Sequence, residues 1–201
     1  SERWLPEQND QLEQIMKISS NKRRFEDLCS ASKNGQVVPL IGSGMSVPSG
    51  LPSWSNFLRL IRCHSSMDEA ELEMMIAESA FEEAVGKLRQ TMPGRLFDEQ
   101  IEHHLRIEKS KISGPIRFLP ELFDKLILTT NLDDLLEQLY EDMDSRFSHV
   151  LAGNEIGRYR RVMASSERVL LKLHGDCRNR TGRVLSDAEY ERTYANGSLI
   201  R

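Results

Sequence analysis

The sequence predicts an α/β fold: a mainly parallel sheet flanked by helices, with a helical insertion. Three observations carry that prediction. Short apolar runs at residues 37–41, 126–129 and 168–173 have the length and turn-bounded form of strands buried in a parallel sheet. Amphipathic helical patterns separate them, and this alternation is the signature of a parallel sheet. Each run ends in a short polar segment, Gly-Ser-Gly, Thr-Asn-Leu-Asp-Asp or His-Gly-Asp, at the carboxyl edge where such sheets bind ligands.

The elements follow in order. Residues 9–33 place Leu12, Ile15, Met16, Phe25 and Leu28 at helical spacing, and Asn34-Gly35 stops the pattern. Residues 37–41 (VVPLI) form the first strand, although Pro39 removes a ladder donor. After the glycine loop, Ser53 caps a helix with Trp54, Phe57, Leu58 and Ile61 on one face. Residues 68–120 are expected to form the helical insertion, a subdomain or lid, broken at Met92-Pro93-Gly94 and followed by a short helix near FLPELF. The second strand, residues 126–129, runs into a helix that Asn131 is placed to cap, with Asp133 and Asp134 in its first turn. The third strand, RVLLKL, ends at His174, and Ser186-Asp187-Ala188-Glu189 is a capping box that opens a last helix.

Bulk composition narrows the function. The chain has 201 residues, 39% hydrophobic and 29% charged, enough for one compact domain with its own core. With 27 basic against 31 acidic residues and a net charge of −4, it lacks the basic footprint of a nucleic-acid binder. Cys29, Cys63 and Cys177 stand far apart, which argues against a disulfide framework and a cysteine zinc site and predicts a reducing, cytoplasmic setting. No apolar run is long enough to span a bilayer, and residues 1–10 do not read as a signal peptide, so no membrane partner is expected. The first residue is not methionine, and the chain reads as a piece of a longer protein.

Each motif has a structural reading beside a functional one. Gly42, Ser43 and Gly44 let backbone N–H groups approach an anion, and the following helix adds unpaired donors. The same residues also suit a tight strand-to-helix turn. Val47 stands where a third glycine would complete the dinucleotide fingerprint, and no lysine follows as a phosphate-binding loop requires. Asn131 reads equally as a helix cap, and His174 as a packed histidine bonded to backbone. His103-His104, Met67, Met74 and Met75 read as surface and packing residues, and no metal site is assigned.

Taken together, IGSGMSVPSGLPSW, LILTTNLDDLLE and LLKLHGD resemble the sirtuin family, in particular its NAD-hydrolysing branch in bacterial antiphage defence. The resemblance implies a Rossmann-like NAD-binding domain over residues 1–201. It implies that Gly42, Ser43, Gly44, Met45 and Ser46 hold the dinucleotide, with Trp54 nearby and Asp133 near the nicotinamide amide. Asn131 would stand beside the reacting ribose and His174 would act as base. Three departures are visible. Ser53-Trp54-Ser55 stands where deacylating members carry Asp-Phe-Arg, only Cys177 follows the His-Gly pair where they carry two cysteine pairs, and no later Gly-x-Ser segment precedes Arg201. The first argues against acyl-peptide chemistry, the second against a structural zinc, and the third leaves the adenosine half of the expected NAD pocket outside residues 1–201.

The resemblance therefore implies an NAD glycohydrolase that forms nicotinamide and ADP-ribose, acts as an abortive-infection effector, and is controlled by homo-oligomerisation, a regulatory domain or an infection-sensing partner. An NAD-dependent protein deacylase and a non-catalytic NAD or ADP-ribose-binding assembly module stand as alternatives. Zinc content with a peptide-dependent reaction would mark the first, and tight binding without nicotinamide release the second.

Overall fold

The computed structural model describes residues 5–108, 111–153, 155, 159–162 and 167–194. The chain divides into two compact units, residues 1–38 and 39–201. In the first, α1 (Leu5–Lys17) and α2 (Asn21–Lys33) replace the single helical pattern expected over residues 9–33. The break falls at Ser20, which takes a left-handed φ of 66°, a conformation no helix interior accepts.

Among the described residues the second unit is built on four parallel strands, β1 (Leu40–Ile41), β2 (Leu126–Thr129), β3 (His149–Ala152) and β4 (Val169–Lys172), in the order β1-β2-β4-β3. Together with its flanking helices this is an α/β, Rossmann-like fold. Two strand expectations need correction. The first run forms only two paired residues at the sheet edge, with Leu40 61% exposed, so it is not a strand buried on both faces. At an edge one side of the backbone is unpaired, which is where Pro39 is tolerated. β3 was not expected at all: His149-Val150-Leu151-Ala152 is too short an apolar run to stand out, and it occupies the other edge.

The two central strands alternate as a pleated sheet requires. Ile127 and Leu170 face one way, into a cluster with Leu135, Leu136, Leu139 and Tyr140 of α8 (Leu135–Asp142). Leu126, Leu128, Val169 and Leu171 face the other, with Tyr159 and Val162 of α9 (Tyr159–Val162). Each fully buried side chain of this size contributes about 1.5–3 kcal/mol. Lys172 continues the Leu170 register and so points at α8.

A separate apolar cluster joins α3 (Trp54–Arg62), α4 (Glu69–Ala77), α5 (Phe81–Thr91) and α6 (Gly94–His104). Ser53 caps α3 by accepting from Asn56 N at 3.3 Å, and Asp68 caps α4 by accepting from Ala70 N and Glu71 N. Met67 and Met75 are buried here while Met74 is exposed. The FLPELF segment is a 3₁₀ turn at Pro115–Phe118 running into α7 (Leu119–Leu122). In α10 (Asp187–Tyr194) the Glu189 carboxylate accepts from Ser186 N at 3.1 Å and from Leu185 N at 3.0 Å, the glutamate half of the expected capping box.

Candidate functional site

Because β1, β2 and β4 are parallel and adjacent, their carboxyl ends open on the same edge of the sheet. The glycine loop, the Thr-Asn-Leu-Asp-Asp segment and the His-Gly-Asp turn leave from those three ends. Backbone bonds tie them at once: Thr130 N donates to Ile41 O at 3.1 Å and Leu173 N to Thr129 O at 2.8 Å. Just beyond lies a cavity of about 260 Å³. Asn131, Asp133, His174, Ser43 and Trp54 all line it.

The glycine loop folds as two 3₁₀ turns, Ser43–Met45 and Val47–Ser49. Gly42 is extended at φ −111°, and a side chain built at Gly44 would meet no protein atom within 4 Å. Packing within the chain therefore leaves open space beside the Gly44 backbone. Met45 is half-buried against the α8 cluster. Ser46 is buried and turned inward.

The Ser46 hydroxyl organises two of the expected site residues. It donates to Asp133 Oδ2 at 2.9 Å and accepts from Asn131 Nδ2 at 3.0 Å. Since Ser46 gives its only proton to a carboxylate, the Asn131 atom facing it must be the amide NH₂. Asn131 Oδ1 is left with no hydrogen bond among the described residues. Burial pushes the Asp133 carboxyl above the usual carboxylate range, against the opposing pull of Ser46 and the nearby Lys172 ammonium.

The helix-cap reading of Asn131 is overturned. α8 begins at Leu135, with Asp133 Oδ1 accepting from Leu135 N at 3.2 Å. The helix does not start earlier because tertiary partners take the carbonyls of Leu132 and Asp133: Cys177 N and the Lys172 ammonium reach Leu132 O at 2.8 and 3.3 Å, and the ammonium reaches Asp133 O at 2.7 Å.

His174 Nδ1 lies 2.8 Å from Val184 O, and Val184 N donates to His174 O at 3.0 Å. A carbonyl only accepts, so Nδ1 carries a hydrogen, and in the neutral ring the lone pair lies on Nε2. The next residue explains the His-Gly pair: Gly175 has φ +98°, and a Cβ there would come within 2.8 Å of Arg183 Cα.

Beneath both loops sits Lys172, fully buried, and sequence reasoning passed over it. Its ammonium meets Glu137 Oε1 at 2.6 Å and Asp176 Oδ2 at 2.5 Å in addition to the two carbonyls. Burial disfavours the ammonium, but the two carboxylates outweigh it and hold the lysine charged. Burial likewise opposes the Asp176 carboxylate, and Lys172 overcomes it, holding its pKa low. Glu137 goes the other way: burial prevails over Lys172 and pushes it up to about 7, and its Oε2 is buried with no hydrogen-bond partner among the described residues. A single lysine inside an apolar strand was the available signal, since a buried ammonium must find partners.

The helical part adds Phe81, Glu82 and Leu105 to the cavity wall, none of them marked by any local sequence signal. Cys177 is buried and its thiol is pushed up to about 12 by burial. Among the described residues no three His, Cys, Asp or Glu side chains gather as a metal site would need.

The family model for the SIR2-like domain matches residues 125–201, a stretch that holds β2, Asn131, Asp133 and His174. Over these residues the chain is similar to a sirtuin-like domain, a likeness that points to an NAD-related function. A search of curated proteins finds no match.

Proposed function

We propose that the chain is an NAD glycohydrolase that splits NAD into nicotinamide and ADP-ribose. The observation that carries this reading is the opening of the Asn131 carboxamide and the His174 imidazole into one cavity at neighbouring strand ends. Its walls of Trp54, Phe81, Leu105 and Leu185 suit a flat, apolar ring, and the open space beside Gly44 suits a pyrophosphate approached by main-chain N–H groups.

The chemistry asks little of the protein. Nicotinamide leaves an N-glycoside as a neutral molecule, taking the bonding electron pair, so no general acid has to protonate it. Water then bonds to the sugar carbon and gives up a proton, for which His174 Nε2 is the acceptor. Asn131 orients the ribose or the water through the carboxamide that Ser46 holds. Asp133, fixed by Ser46 and Leu135 N at the cavity wall, is placed to accept a hydrogen bond from the nicotinamide amide. Residues 68–120 act in this proposal as an inserted helical subdomain that closes one side of the cavity. The antiphage role implied by the three motifs belongs to the same proposal: NAD depletion released by oligomerisation or by a partner.

The test is release of nicotinamide from NAD by the complete polypeptide, activated if necessary. His174→Ala is expected to lose roughly a hundredfold to ten-thousandfold in rate, and Asn131→Ala to lose turnover as well, each while remaining folded by circular dichroism. Wild-type turnover in both variants removes them from the mechanism.

A further inference from the structure

The cavity holds one carboxylate that the mechanism leaves unused. Glu82, the second residue of α5, lines it together with Asn131, Asp133 and His174. Its neighbours are engaged: Lys87 Nζ contacts Glu71 at 2.5 Å and Glu83 at 3.7 Å, and Arg89 contacts Glu189 at 2.5 Å. Asp133 is committed to Ser46 and to Leu135 N. Glu82 has neither a hydrogen bond nor an ion pair among the described residues.

What surrounds it narrows the occupant. The walls are aromatic and aliphatic, Trp54, Phe81, Leu105 and Leu132 among them, and no lysine or arginine is among the described lining residues. The first turn of an eleven-residue helix favours a negative charge. A flat apolar slot with an uncompensated carboxylate on its wall is complementary to a flat cation, and the aromatic faces of Trp54 and Phe81 favour the same charge.

We propose that Glu82 is a specificity-determining residue that selects the cationic pyridinium ring of the oxidised dinucleotide over uncharged rings. The inference rests on the NAD glycohydrolase reading. It also gives the cleavage a direction: when the glycosidic bond breaks, the positive charge leaves the ring, nicotinamide becomes neutral, and its attraction to Glu82 ends. Substrate is held by a contact that product does not make.

The probes are 1-methylnicotinamide, a permanent cation, and nicotinamide, the same ring uncharged, titrated calorimetrically into the complete protein and into Glu82→Gln. A half-exposed charge contact predicts that the wild type prefers the cation by about threefold to fivefold. In Glu82→Gln the preference falls to about one while nicotinamide affinity stays the same, and with NAD the loss appears in KM rather than kcat. The same preference in both proteins, or binding of neither probe, overturns the proposal. If the wild type turns over NAD and the preference survives Glu82→Gln, only the role of Glu82 fails. If the wild type releases no nicotinamide from NAD, the catalytic reading fails, and the two-probe ratio still decides whether Glu82 selects a cation.

Discussion

Replacing Lys172 by methionine tests the arrangement under the cavity. The methionine keeps the length of the stem and removes the charge, leaving Glu137 and Asp176 facing each other and two carbonyls, Leu132 O and Asp133 O, without the ammonium. Breaking a buried ion pair from one side costs about 3–5 kcal/mol. Glu137 limits that cost, because its carboxyl already sits at about 7 and takes up a proton once the lysine is gone. The expected loss near pH 7 is therefore about 3 kcal/mol, measured by urea denaturation.

The sign with pH follows from linkage. A carboxyl raised to about 7 in the fold, against about 4.5 unfolded, contributes stability that is whole below about 4.5 and is lost as pH rises through 7. Without Lys172 the folded value rises further, so the variant keeps losing stability above pH 7 where the wild type has stopped. The deficit of Lys172→Met should grow by about 1 kcal/mol per pH unit there. Adding Glu137→Gln should remove that growth. A deficit under about 1 kcal/mol at both pH 5.5 and pH 8, or one that shrinks as pH rises, refutes the buried-cation account.

Two glycines give opposite expectations. At Gly44 a methyl group meets no protein atom and φ is not in the left-handed region, so Gly44→Ala should leave the denaturation midpoint unchanged or slightly raised. If substrate phosphate approaches that backbone, KM for NAD rises roughly tenfold, and an unchanged KM places the phosphate elsewhere. Gly175→Ala forces a left-handed φ and a 2.8 Å approach to Arg183 Cα, costing about 2 kcal/mol or more. It should also weaken the His174–Val184 pairing and turnover together, and an unaltered melting temperature counts against this role.

The fold was legible where the local pattern and the burial agree. Residues 126–129 are apolar, short and central, and they form β2 as expected. Ser53 and Glu189 sit at helix starts, where capping depends on residues only three or four positions away. The edges were not legible. Neighbours at a sheet edge are unpaired on one side, so neither hydrophobic run length nor periodicity had to mark β1 or β3. The order β1-β2-β4-β3, in which the last strand in sequence lies inside the sheet, has no local signal.

The site shows the same division in sharper form. Asn131, His174 and the glycine loop were visible because each follows a strand, and parallel strands that are neighbours must bring their ends together. What made Asn131 a side chain facing a cavity rather than a helix cap was not in its own segment. It was Lys172, forty-one residues further on, whose ammonium together with Cys177 N takes the carbonyls that an earlier helix start would have used. One buried cation thus holds the Asn131 loop and, through Asp176, the turn that carries His174. The relative placement of the two proposed catalytic groups depends on a lysine that touches neither, and on this view Lys172→Arg, which keeps the charge but not the shape, should fold better than Lys172→Met and still turn over poorly. Full activity in Lys172→Arg would show that the charge alone, rather than the four-point geometry, sets the site.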